Sequence, residues 1–137
     1  MSARDDDLPI RSLGFWLAAL GGLLMAVNSV RALVDPAAFA VYLGLPLAAQ
    51  GDAALIHVYA LRTLFIALLV AALLVTRQRQ ALALLSACAV VMPAGDALLT
   101  STAGASTGIV LRHAAIALYL LVTALILWPR GQTRAVA

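Results

Sequence analysis

Residues 81–102 read ALALLSACAVVMPAGDALLTST, and the fold turns on how this stretch is read. It has roughly the 20-residue length that a bilayer core requires of a helix, yet Pro93, Gly95 and Asp96 stand close together in its second half. Pro93 removes a backbone donor, and its ring clashes with the carbonyl of Ala89, so the helix is expected to kink or break there. A broken helix is tolerated inside a membrane where it faces protein or a water-filled cavity. The stretch therefore reads as one span bent by more than about 20° within Val91–Ala97. Gly95 leaves room for a close approach, and Asp96, a favoured N-cap residue, is expected to cap the restarted half.

Three further stretches have the same character: Leu13–Val34, Ala53–Thr76 and Ile109–Trp128, with the kinked span at Ala81–Thr102. Apolar residues make up 64% of the chain and charged residues only 11%, far from the balance of a soluble domain. Between the first two spans lies DPAAFAVYLGLPLAAQGD, residues 35–52. Pro36 and the Gly44-Leu45-Pro46 turn bracket a short apolar piece there with Phe39 and Tyr42, which suits a short helix lying at the interface. The other connectors, RQRQ (77–80) and STAGASTG (101–108), are short, and short links make successive helices antiparallel neighbours. The expected fold is all-α: residues 1–137 as a single transmembrane domain, an antiparallel four-helix bundle with an interfacial helix between spans one and two and a proline-kinked span three.

Charge placement gives an orientation. Arg4, Arg11, Arg77, Arg79, Arg130 and Arg134 all fall on one side, whereas the two opposite connectors hold no basic residue and carry Asp35 and Asp52. The positive-inside rule then places both termini in the cytoplasm of a multi-pass inner-membrane protein. Arg31 and Arg112, near the outer ends of their spans, run against this bias. The first span is expected to stay in the chain: its apolar core is long, and the A-x-A-like site Ala38-Phe39-Ala40 comes too late and beyond a proline. All nine cations are arginine and all six anions aspartate. The basic residues are scattered without interleaved aromatics, so no nucleic-acid partner is expected. The lone Cys88 lies in an apolar segment and is expected to pack there.

At ~1.5 Å per residue, all four spans contribute polar residues from the outer half, and the inner half is almost pure Leu, Ala and Val. Arg31, His57, Arg112 and His113 lie within about 8 Å of the outer surface, Asn28 and Asp96 at about 9–12 Å, and Arg62 deepest at about 15 Å. Asn28, Arg31 and Asp35 share one helical stripe, Tyr59 and Arg62 a second, and Arg112, Tyr119 and Thr123 a third. Turned inward, these stripes would line a polar pocket that opens outward. An unpaired charge at mid-span costs on the order of 3 kcal/mol. Asp96 is the one intramembrane carboxylate, so it is the expected partner of Arg62 or Arg112. The surplus cations then call for an anionic or carbonyl-bearing ligand, water, or snorkelling to the interface.

No metal site is expected, because His57, His113 and Asp96 sit on three helices with no paired-ligand spacing. No cofactor motif occurs. Asp96 and His113, a carboxylate and an imidazole on successive spans, are a candidate pair for proton transfer. Gly14, Ala18, Gly21 and Gly22 read as small-residue packing contacts.

The stretches YALRTLFIALL (59–69), PAGDALL (93–99) and RHAAIALYLLVTALIL (112–127) resemble a four-helix integral membrane family, the domain of unknown function numbered 4267, over about Gly14 to Trp128. The resemblance implies the four-helix fold and marks Arg62, Asp96 and His113 as characteristic polar positions. Members often carry an acid directly after the span-two arginine, where this chain has Thr63, so no mechanism with a second carboxylate is implied.

Small multidrug exporters are excluded because they rely on a membrane glutamate, and dual-topology channels because the loop charge is one-sided. Three readings remain. The first is a module in the lipid bilayer whose outward pocket binds a small lipophilic molecule with a polar or anionic head, through Asn28, Arg31, His57, Tyr59, Arg112 and Tyr119. The second is an isomerase or cyclase with Asp96 and His113 as the proton-transfer pair and Arg62 and Arg112 stabilising an oxyanion. The third is a structural subunit of a larger complex. Assembly into a homo-oligomer is compatible with each.

Overall fold

The structure is a computed structural model that describes residues 8–49 and 51–128. Its helices are α1 (Leu13–Val34), α2 (Pro36–Leu43), α3 (Asp52–Val75), α4 (Arg79–Ala89), α5 (Val91–Thr102) and α6 (Thr107–Leu127). α1, α3, α4 joined with α5, and α6 give four stretches long and apolar enough to cross a membrane. The molecule is a multi-pass membrane protein, and the exposure of Trp16, Leu23, Phe65, Leu98 and Leu125 is what a lipid-facing surface requires. The spans fall within two residues of the boundaries expected from the sequence.

α1 and α3 form one close pair. Their buried faces are built from small side chains: Gly14, Ala18, Ser29 and Ala32 on α1, and Ala60, Thr63, Ala67 and Val70 on α3. Lipid tails are as apolar as leucine, so helices in a bilayer are held by close contact and hydrogen bonds, which small residues permit. At Gly22 an added Cβ would stand 2.9 Å from Val70 Cγ1, and the Ser29 hydroxyl donates to the Ala60 carbonyl at 2.7 Å.

α6 forms the second pair with α4 and α5. Its C-terminal carbonyls are met by Arg79, whose Nε donates to the Leu127 carbonyl at 3.0 Å, with Nη2 3.5 Å from those of Ile126 and Trp128. A cation there also complements the negative end of the helix dipole. The two pairs meet more loosely. Leu127 packs on Gly14, where a Cβ would come within 2.6 Å of Leu127 Cδ2, and the Tyr119 hydroxyl donates to the Leu17 carbonyl.

The short helix expected between spans one and two is present as α2. The Asp35 carboxylate accepts from Ala38 N at 2.9 Å, and Pro36 occupies the first turn, where no donor is needed. Gly44 closes it with φ +91°, and any Cβ there would meet Ile109 Cγ2 at 2.7 Å, so both backbone and packing require glycine. Phe39 drives α2 into the bundle: it is 1% exposed and joins Ala32 and Ala60 in one cluster.

The third span breaks at Val90, between α4 and α5, one residue ahead of the window expected for the bend. Pro93 thereby falls in the first turn of α5, where backbone N–H groups have no intrahelical acceptor and proline costs little. Asp96 is consequently the sixth residue of α5 and not its N-cap, a correction to the expectation from the sequence. Val90 itself keeps helical dihedrals, so the span continues across the junction without a loop.

Candidate functional site

Where the two helix pairs fail to close on each other, a cavity of about 460 Å³ remains. α1, α3, α4 and α6 all contribute to its wall, and Tyr42 of α2 stands at one end. The wall is mostly aliphatic: Leu17, Met25, Ile66, Leu85, Ala89 and Leu120 are typical. Leu24, Val27 and Ile116 also line it while being 51%, 48% and 40% exposed. The cavity therefore opens sideways through the bundle wall, where lipid would lie.

Polar groups gather at the end nearest the α1–α2 turn, where Asn28, Arg31, Tyr42 and Arg112 line the wall together. Arg112 Nη2 donates to the Tyr42 carbonyl, and its guanidinium lies over the Tyr42 ring, 3.8 Å from the centroid. Arg31 stacks on the same ring at 4.5 Å. Each stack contributes about 0.5–2 kcal/mol depending on desolvation, and the tyrosine thus holds two like charges close together. Arg112 Nε is buried and has no hydrogen-bond partner. No carboxylate pairs with either arginine among the described residues. Deeper in the cavity the polar groups are already engaged: Tyr119 with Leu17, and the Thr123 hydroxyl with the Tyr119 carbonyl at 2.8 Å.

Asp96 and His113 meet, but away from this cavity. His113 is 3% exposed. Its Nε2 lies 3.2 Å from the Leu43 carbonyl and its Nδ1 3.9 Å from Asp96 Oδ2. The Leu43 carbonyl can only accept, so Nε2 carries a proton and Nδ1 is the nitrogen turned toward the carboxylate. Arg112 and His113 are consecutive on α6, about 100° apart around the axis. One therefore serves the cavity, while the other ties α5 and the end of α2 to α6.

The remaining sequence candidates divide. Asn28, Arg31, Arg112 and Tyr119 line the cavity, whereas Arg62, His57 and Tyr59 do not. Arg62 corrects the expectation most sharply: it is exposed and forms no ion pair with Asp96 or any other described residue. The reason lies in the phase of α3. Ala60, Thr63, Ala67 and Val70 form the buried face of α3, and Arg62, one position before Thr63, is carried off that face. Tyr59, one turn earlier, is 37% exposed and packs its ring 5.8 Å from that of Phe39. Tyr42 is the residue that sequence reasoning left out of the site. Its one signal was a lone tyrosine in an interfacial helix, next to two arginines placed against the charge bias.

Comparison with known families identifies the fold's kin. The profile described as Domain of unknown function (DUF4267) matches residues 22–127, most of the chain. The chain belongs to this family. The DUF4267 match begins at Gly22, inside α1, and so covers every other helix in full and all the cavity's polar residues. No curated protein and no solved structure matches the chain. Thr63, the residue directly after Arg62, is 8% exposed and donates to the Tyr59 carbonyl of its own helix at 2.9 Å.

Proposed function

We propose that this DUF4267 protein binds one small lipophilic molecule with an anionic or carbonyl-bearing head. The head sits at Arg112, Arg31 and Asn28, and the tail lies along the aliphatic cavity toward Tyr119. The buried, unpartnered Nε of Arg112 carries this reading. An N–H donor held from water without an acceptor costs about 1–3 kcal/mol, more for a charged group, and the protein supplies no carboxylate to meet it among the described residues. A carboxylate, phosphate or carbonyl oxygen would meet it, and the second guanidinium at Arg31 adds to the attraction.

Size and access support the same reading. A volume of about 460 Å³ falls within the roughly 300–1,000 Å³ of small-ligand sites, enough for one slender molecule. The sideways opening lets such a molecule enter from the bilayer. The depth from Arg112 to Thr123 is about 16 Å of helix rise, a match for a flexible or rod-like tail. Asp96 and His113 lie outside the cavity, so no proton transfer to its occupant is assigned to them.

The test is mass-spectrometric identification of lipophilic molecules that co-purify with the protein in mild detergent, for the parent and for Arg112→Gln. A single enriched amphiphile is expected with the parent. Its occupancy should fall at least about tenfold in the variant, as the loss of one charge-assisted hydrogen bond implies. Equal recovery from both proteins would reject the assignment of Arg112 as the head-group ligand.

A further inference from the structure

The break at Val90 separates α5 from α4, and α5 packs on α6 while scarcely touching α3. The side of the bundle between α3 and α5 is therefore open toward lipid, and it holds two charges. Arg62 lies ten residues into α3, about 15 Å from its start at Asp52. It is exposed and has no ion pair or hydrogen bond among the described residues. The Asp96 side chain is 39% exposed, and its one ion-pair contact among the described residues is His113 at 3.9 Å. Tyr59, a turn before Arg62 on the same stripe, packs on Phe39, and Leu43 packs against the Phe39 cluster. The Leu43 carbonyl meets His113, which faces Asp96, so Arg62 and Asp96 flank this side. The rest of the face is apolar: Leu55 and Phe65 on α3 and Leu99 on α5 are each more than half exposed.

We infer that this face joins two copies of the chain as a parallel two-fold dimer, with Arg62 of each copy paired to Asp96 of the other. An arginine near mid-span without a partner costs on the order of 3 kcal/mol, and it cannot escape by losing its proton. An anionic lipid head would meet Arg62 but would be repelled by Asp96. A second copy satisfies both, because a two-fold contact needs a self-complementary patch and one cation beside one anion is such a patch. Asp96 lies six residues from the end of α5, about 9 Å deep against about 15 Å for Arg62. The offset of about 6 Å is within reach of an arginine stem directed toward the surface. Neither charged residue lines the cavity, so the dimer and the binding reading stand or fall separately.

Charge reversal with mixing gives the test. Parent protein, Arg62→Asp, Asp96→Arg and an equimolar mixture of the two variants are reconstituted in nanodiscs, and particle mass is measured. The parent is expected to be dimeric and each variant alone to lose the dimer, since its paired charges become alike. The mixture is expected to recover the dimer. There the two aspartates of the Arg62→Asp chain, at positions 62 and 96, meet the two arginines of the Asp96→Arg chain across the interface. A monomeric parent, dimers unaffected by reversal, or recovery in the Arg62→Asp/Asp96→Arg double variant but not in the mixture would each overturn the inference. The last would indicate a pair within one chain. Should a reversed variant fail to accumulate, co-purification of two differently tagged copies decides instead. Arg62→Gln should abolish most of the co-purification seen with the parent, and unchanged capture would overturn the dimer.

Discussion

Gly22→Ala puts the geometry of the α1–α3 seam under direct test. In an unobstructed helix, alanine is about 0.5–1 kcal/mol better than glycine. At Gly22 the new Cβ would stand 2.9 Å from Val70 Cγ1 and 3.4 Å from Val70 Cβ. The nearer atom belongs to a stiff β-branched side chain that is itself 8% exposed, so it can yield only by moving the helices apart. Overpacking of this kind costs about 1–3 kcal/mol, which offsets the propensity gain and leaves a net destabilisation of up to about 2.5 kcal/mol. Adding Val70→Ala removes the obstructing atom, so the double variant should be more stable than the sum of the singles by about 1 kcal/mol or more. Gly108→Ala is the control: nothing lies within 4 Å of its added Cβ, and it should be neutral or stabilising. Reversible unfolding in mixed micelles, followed by circular dichroism, measures all of these variants. A stabilised Gly22→Ala, or strict additivity with Val70→Ala, would refute the close approach of α1 and α3.

Other outcomes follow from single contacts. Ser29→Ala removes the 2.7 Å bond to Ala60 and should cost about 0.6–1.5 kcal/mol, in the range of interhelical bonds in membranes, measured by the same unfolding assay. Arg79→Met should fray the end of α6 by freeing the carbonyls of Leu127 and Ile126, read as faster amide exchange at residues 124–128 than at 113–117. Both termini are expected in the cytoplasm. In a Cys88→Ala background an impermeant thiol reagent should then label Ala105→Cys on intact cells and Thr76→Cys only after permeabilisation, and the reverse pattern would invert the topology.

The spans and the short helix α2 were legible because membrane insertion leaves strong marks: length, apolar content and punctuation by Pro36, Gly44 and Pro93. Which face of each span turns inward was far less legible. A soluble helix announces its buried face by polarity, whereas here lipid and protein interior are equally apolar and size is the remaining cue. Gly14, Ala18 and Gly22 carried that cue on α1, and they do pack closely as expected. On α3 the polar stripe of Tyr59 and Arg62 was expected to point inward, whereas the small residues Ala60 and Ala67 are buried and Arg62 is exposed. The polar residues consequently divide between the cavity and the α3–α5 side, a division that depth along the membrane does not encode. The break at Val90 follows from where proline is tolerated in a helix, and the first turn of α5 satisfies that rule better than a cap at Asp96.

The most direct test of the proposed binding function is an experimental density map of the parent protein in nanodiscs, at a resolution that shows side chains. An elongated density should fill the cavity between α1 and α6, with its polar end within about 3 Å of Arg112 Nε, the hydrogen-bond distance of a charged donor. A cavity closed by its own side chains, or an Arg112 Nε bonded to a protein acceptor, would contradict a binding site there.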